Sequence, residues 1–178
     1  MIVLVMGVSG SGKTTVAKHL AGRLRCSFAE GDDFHPPANV AKMESGTPLN
    51  DSDRWPWLLL IAEQIDAYLA RKQRLVVACS ALRRNYREIL IGEDRENTHL
   101  VYLKGTQKLI RERMKARSHF MPPALLKSQF VTLEEPQEAE HPIRIDVQHT
   151  PENCTTLITH ALKRRHDKKR KLVVKAKR

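Results

Sequence analysis

At 178 residues, 41% of them hydrophobic, the chain has the size and composition of one soluble globular domain with a real core. It has no stretch of the roughly 18 apolar residues that a membrane-spanning helix needs. The formal charge of +11 suggests a nucleic-acid binder, but ten Lys and Arg residues lie between 163 and 178 against Asp167 alone, which leaves +2 for the rest of the chain. A nearly neutral body with few aromatics argues against a nucleic-acid surface outside that tail.

Met1–Met6 is an unbroken apolar run and reads as a strand buried on both faces, as at the centre of a parallel sheet. It lacks a basic leader and runs straight into a glycine-rich loop, so it does not read as a signal peptide. Gly7, Val8, Ser9, Gly10, Ser11, Gly12, Lys13 and Thr14 fit G-x-x-x-x-G-K-[ST] without mismatch. The glycines let successive backbone N–H groups point at one spot. Lys13 adds a cation for the β- and γ-phosphates of a nucleotide, and Thr14 adds a hydroxyl for Mg²⁺. The helix from Lys13 to about Leu24 aims its positive end at the same spot.

Cys26–Ala29 is a short strand ending at Glu30-Gly31-Asp32-Asp33. His35-Pro36-Pro37 opens a helical stretch that Gly46-Thr47-Pro48 breaks. Asp51 or Ser52 caps a long helix, about 53–71, with Leu58, Ile61, Ile65 and Leu69 at helical spacing. Leu75–Cys79 and His99–Leu103 are two more buried-type strands. A basic helix follows the first, and a helix over about 107–115, capped by Thr106, follows the second. A Pro-containing loop covers 116–125, a helix about 124–133, a strand 144–147, and a last helix runs from Pro151 to about Arg165. The alternation predicts an α/β fold, an open and mostly parallel sheet with helices on both faces. Ligands in such sheets sit beyond the carboxyl ends of the strands, where every motif here falls. One domain, 1–165, is expected, with a basic tail over 166–178. The tail reads as a disordered, solvated end; a targeting signal or an RNA or anionic-membrane contact is its alternative. Cys26, Cys79 and Cys154 form no metal pattern, which fits reduced thiols in a cytoplasmic compartment.

Phosphoryl transfer needs a positioned acceptor, a metal and positive charge. Strand alternation would point Glu30 and Asp32 the same way, with Gly31 permitting close approach. Asp32 is the candidate to orient the acceptor hydroxyl, and Glu30 could serve the metal through water; a plain polar turn is the alternative. Arg54 does not suit a helix N-terminus, which favours a fork for a carboxylate or phosphate. Ser80 and the arginines at 83, 84 and 87 could meet a small anion, one of the three being simply solvated. Arg111, Arg113, Lys115 and Arg117 lead into a loop holding His119 and Phe120. That arrangement suits a mobile lid, about 111–125, bringing an arginine to the nucleotide, with a solvated helix face as the alternative for each arginine.

These motifs together resemble the gluconokinases. The resemblance rests on residues 7–14, 30–36, 42–58, 79–87, 101–105, 113–121 and 129–136, and covers about 3–162. It implies a P-loop nucleoside-kinase-like, three-layer fold with a five-stranded parallel sheet in the order 2-3-1-4-5. It implies ATP-dependent phosphorylation of the 6-hydroxyl of D-gluconate to 6-phosphogluconate, with Mg²⁺ and usually a homodimer. Carried onto this chain, it places Lys13, Asp32 and Arg117 at the chemistry, and the loop 7–14 with Arg113 and Arg117 on ATP. It places Asp32, His35, Arg54, Ser80, Arg84 and Gln129 on the substrate, and Thr14 and Glu30 at the metal. The turn reads Glu30-Gly31-Asp32 where related kinases often have Asp-x-Asp, and the tail has no counterpart. A kinase of another hydroxy acid such as shikimate would want a glycine triplet where Cys79-Ser80-Ala81 stand. The remaining alternative is a nucleic-acid-binding protein with a vestigial nucleotide site.

Overall fold

The computed structural model describes the backbone of residues 1–94, 96–115 and 124–176, and their side chains apart from 124, 125 and 172–176. Five strands, β1 (Ile2–Met6), β2 (Ser27–Glu30), β3 (Leu75–Ala78), β4 (Thr98–Lys104) and β5 (Ile143–Asp146), form one parallel sheet in the order β2-β3-β1-β4-β5. The order expected from the family resemblance is therefore the order found. β1 lies at the centre, and all five of its residues are fully buried. This is why its sequence is continuously apolar rather than alternating.

The two faces of the sheet are covered by different helices. Val3, Val5, Val76, Ala78 and Val101 pack with α1 (Lys13–Leu24) and α7 (Pro151–Ala176) through Ala17, Leu20, Ile158 and Leu162. Ile2, Leu4, Met6 and Val77 pack with α3 (Asp51–Ala70) and α4 (Arg84–Ile91) through Leu58, Ile61, Ile65 and Leu90. Each such apolar side chain removed from water contributes about 1.5–3 kcal/mol. A smaller cluster of Val8, Leu82, Ile110, Met114 and Leu126 ties α5 (Gln107–Lys115) and α6 (Ala124–Thr132) to the loops at the carboxyl end of the sheet. No helix among the described residues is long and apolar enough to cross a membrane.

Three local expectations are corrected. The cap of α3 is Asn50, not Asp51 or Ser52. The Asn50 side chain accepts from the Asp53 N–H at 2.9 Å and the Asp53 carboxylate accepts from the Asn50 N–H at 2.9 Å, a reciprocal box that starts the helix earlier. The chain after Glu30 leaves the strand at once for a 3₁₀ turn, Gly31–Phe34, so alternation does not govern Asp32. Finally, α7 does not stop near Arg165 but runs on to Ala176. Lys, Arg, Leu and Ala there are strong helix formers, and two side chains tie this part of the helix to the body. Arg165 Nη2 donates to the His141 carbonyl at 2.6 Å, and Lys169 pairs with Glu96 at 2.8 Å.

Arg87, expected on a basic helix face, is 1% exposed. It forms a two-pronged pair with Glu140 at 2.5 and 2.9 Å and donates through Nη1 to the carbonyls of Ala81, Leu82 and Glu134. Burial pushes the Glu140 carboxyl up, but its bonds to Arg87 and to the Gln137 N–H outweigh this and hold it below the usual range. Breaking such a pair strands a buried charge, so Arg87→Met is expected to lower stability by about 3–5 kcal/mol. A shift in urea midpoint checks this; a change within about 0.5 kcal/mol would show that the pair is not structural.

Candidate active site

The phosphate loop follows from the sheet. β1 delivers Gly7 to its carboxyl edge, and the loop turns through Gly10 (φ 78°) and Gly12 (φ 92°), conformations that residues with a Cβ rarely adopt. Gly12 caps α1 without a side-chain acceptor, and the first turn of α1 holds no acidic residue. The helix's first N–H groups and its positive end are therefore left for an anion. Lys13 Nζ donates to the Val8 carbonyl at 3.1 Å, which folds the cation back over the loop. The Ser9 N–H donates to Gln129 Oε1 at 2.6 Å, which seats α6 on the same loop. Ser11 is 2% exposed, and its hydroxyl has no hydrogen-bond partner.

The loop separates two cavities. One, on the β2–β3 side, is lined by Ser9, Lys13, Asp32, His35, Arg54, Ser80 and Gln129, with Leu49, Trp57, Leu82 and Tyr86 among its other walls. Five segments of the chain thus converge there. Gly31 is needed for this convergence: a Cβ on it would stand 2.6 Å from the Ala78 carbonyl, and Trp57 Nε1 donates to the Gly31 carbonyl at 2.6 Å. The His35 ring stacks on Trp57 at 4.1 Å. Burial lowers its pKa, and Asn39 Nδ2 sits 3.3 Å from Nδ1, a contact that suits the tautomer with its proton on Nε2. Cys79, fully buried beneath the site with its pKa pushed up to about 12, is an inert thiol.

Arg54 lies against Tyr86, which the sequence did not flag, and Asp51, which the sequence marked only as a cap. Tyr86 Oη donates to Asp51 at 2.5 Å, Arg83 donates to the same carboxylate at 2.7 Å, and Arg54 Nη1 lies 3.4 Å from Tyr86 Oη and 3.8 Å from Asp51. Two guanidinium groups share one carboxylate, which leaves a net positive charge at this wall of the cavity. Arg84 does not join them. Its Nε pairs with Glu88 at 3.0 Å, its side chain is 58% exposed, and it faces a different cleft. Arg83 is the extended N-cap of α4 and Arg84 its first helical residue, and their side chains take different partners, Asp51 and Glu88.

Glu30 ends β2 beside the phosphate loop. Burial raises its pKa first, helped by the charge of Asp32, while a hydrogen bond from Thr14 and the charge of Lys13 oppose the rise. Its Oε2 is buried and has no partner. An orphaned carboxylate oxygen next to the Thr14 hydroxyl is a hard-oxygen donor set that fits Mg²⁺. Among the described residues no group of three or more His, Cys, Asp or Glu is placed to hold a metal ion.

The second cavity, about 300 Å³, lies across the loop. Gly10, Ser11 and Gly12 form one wall, Arg113 of α5 another, and Gln148, His149 and Thr150 between β5 and α7 a third. The turn at 148–150 went unmarked in the sequence, although its place at a strand's carboxyl end was the available signal. Arg113 lines this cavity across from the glycines of the loop. Arg117, with His119 and Phe120, lies outside the described residues.

The comparisons agree with this geometry. A family model described as an AAA domain matches residues 2–136. A gluconokinase from Gluconobacter oxydans is 45% identical over 150 residues, covering 84% of each chain. The chain belongs to the gluconokinase family. The crystal structure of a gluconokinase from Sinorhizobium meliloti superimposes with a TM-score of 0.82 at 41% identity over 91% of each chain. A shikimate kinase from Aquifex aeolicus, 15% identical over 92% of this chain and 96% of its own, reaches 0.66 and shares the fold alone. Membership of the gluconokinase family thus comes with the P-loop kinase fold and with a cavity on each side of the phosphate loop.

Proposed function

We propose that the protein transfers the γ-phosphoryl group of ATP to the 6-hydroxyl of D-gluconate, giving 6-phospho-D-gluconate and ADP. Family membership supports the reaction. The observation that carries it to this chain is the single cavity joining Lys13, Asp32 and Arg54, a phosphate-side cation, an acceptor-side carboxylate and a carboxylate fork. ATP takes the loop 7–14 with its base in the cavity of Arg113 and residues 148–150. Gluconate takes the other cavity, with its carboxylate on Arg54 and its 6-hydroxyl on Asp32, and with His35, Ser80 and Gln129 as neutral partners for the remaining hydroxyls. Arg83, working through Asp51, replaces Arg84 as the second arginine near the substrate. Thr14, and Glu30 through water, would hold Mg²⁺, which would neutralise charge on the phosphates. Lys13 stabilises the charge that builds on the transferring group, and Asp32 orients the attacking hydroxyl.

The test is a coupled ADP-release assay with gluconate, glucose and shikimate. Gluconate alone is expected to turn over efficiently. Arg54→Leu is expected to raise KM for gluconate about 10–100-fold with KM for ATP unchanged, since a charge-assisted fork contributes about 1.5–3 kcal/mol. Equal loss for gluconate and for neutral glucose would remove the carboxylate role from Arg54. Three free thiols support work in a reducing, cytoplasmic compartment. A homodimer is part of the same reading, with the exposed Leu59 and Leu60 of α3 as a candidate contact, and light scattering distinguishes one chain mass from two.

A further inference from the structure

Among the described residues three buried side-chain polar atoms lack a hydrogen-bond partner. Ser11 Oγ belongs to the phosphate loop, and Glu30 Oε2 lies beside it at the end of β2. The third, Thr98 Oγ1, belongs to neither cavity described above. Thr98 is the first residue of β4, at the amino edge of the sheet, and it is 6% exposed. It lines a separate cavity of about 390 Å³ enclosed by α4, the start of β4, residues 139–141 and α7. No residue is shared with either side of the phosphate loop.

The charge of this cavity is unbalanced. Its carboxylates, Glu88 and Glu140, are taken by Arg84 and Arg87. Arg165 and Lys168 of α7 have no carboxylate within salt-bridge distance among the described residues. Arg165 is fixed by its bond to the His141 carbonyl at 2.6 Å, which leaves its other guanidinium nitrogens to face a ligand. His99 has its pKa lowered to about 4, by burial first and then by Arg165, the amino terminus and Lys169, so its ring is neutral and can donate one N–H. Leu100 and Ile91 supply apolar wall.

We infer that this cavity is a second ligand site that binds a small phosphomonoester dianion of the sugar-phosphate type, on Arg165, Lys168 and Thr98. Two unbalanced cations match its charge. Donors from a strand and a helix on different sides suit a tetrahedral group better than a planar carboxylate. The apolar wall takes the carbon body. The site lies at the opposite ends of the strands from the phosphate loop, so its ligand does not compete with nucleotide.

Calorimetric titration of the full chain, saturated with ADP to fill the phosphate loop, tests this with glucose 6-phosphate as the probe and citrate and glucose as comparators. Saturable binding of glucose 6-phosphate is expected, with citrate at least about tenfold weaker and glucose silent. Arg165→Gln should weaken binding about tenfold or more. Thr98→Val, which keeps the shape and removes only the hydroxyl, should weaken it severalfold without loss of fold. Arg54→Leu should leave it unchanged. No binding at about 10 mM, equal binding to Arg165→Gln and Thr98→Val, loss of binding in Arg54→Leu, or citrate binding as tightly would each overturn the assignment.

Discussion

Lys13→Ala is expected to lower kcat by about 10³-fold or more while the protein keeps its fold. Lys13 is the cation of the phosphate loop. Its Nζ lies over the loop on the Val8 carbonyl, and the residue lines the cavity on the acceptor side. From there it can follow the phosphoryl group from donor to acceptor oxygen. A fixed cation at developing charge in a partly dry site contributes on the order of 3–4 kcal/mol or more to the transition state. The fold does not depend on it, because a cation at the first position of α1 opposes the helix dipole. The melting temperature of Lys13→Ala should therefore equal or slightly exceed the parent's. Steady-state kinetics and a thermal melt on the same preparation decide this. A variant retaining more than a tenth of the parent rate would remove the loop from the chemistry.

Asp32→Asn should lower kcat by about 10²-fold or more with KM for ATP little changed, and Glu30→Gln should do less. The two carboxylates are close in sequence but differ in surroundings. Asp32 stands in the 3₁₀ turn and lines the substrate cavity, where it can hold the acceptor hydroxyl in line with the γ-phosphate. Asn keeps the size and one acceptor oxygen but loses the charge, and general-base assistance is worth about 10²–10⁴-fold. Glu30 ends β2, touches Thr14 and has its pKa raised by burial. A metal contact through water is replaceable, so its loss should appear mainly as a higher Mg²⁺ requirement. The reverse ranking, with Glu30→Gln crippled and Asp32→Asn active, would transfer the catalytic role to Glu30.

The parts of this protein written in local sequence are those governed by local physics. Six apolar residues before a glycine-rich loop determine a buried central strand and a phosphate-binding turn, because both depend on neighbours along the chain. The alternation of strands and helices determines a parallel sheet, and the family resemblance supplied its order. What only the tertiary structure decided depends on which distant groups meet. Arg83, Arg84 and Arg87 are alike in sequence, yet one reaches Asp51, one is solvated against Glu88 and one is buried on Glu140. Their different positions at the start of α4 separate them, and two of the three partners, Asp51 and Glu140, come from distant parts of the chain while Glu88 lies one turn along the same helix. Tyr86 and Asp51 acquire a part in the site only because α3 and α4 pack side by side on one face of the sheet. The cavity wall at 148–150 and the cationic cavity around Thr98 have no motif, since each is assembled from segments that the fold, not the sequence, makes neighbours.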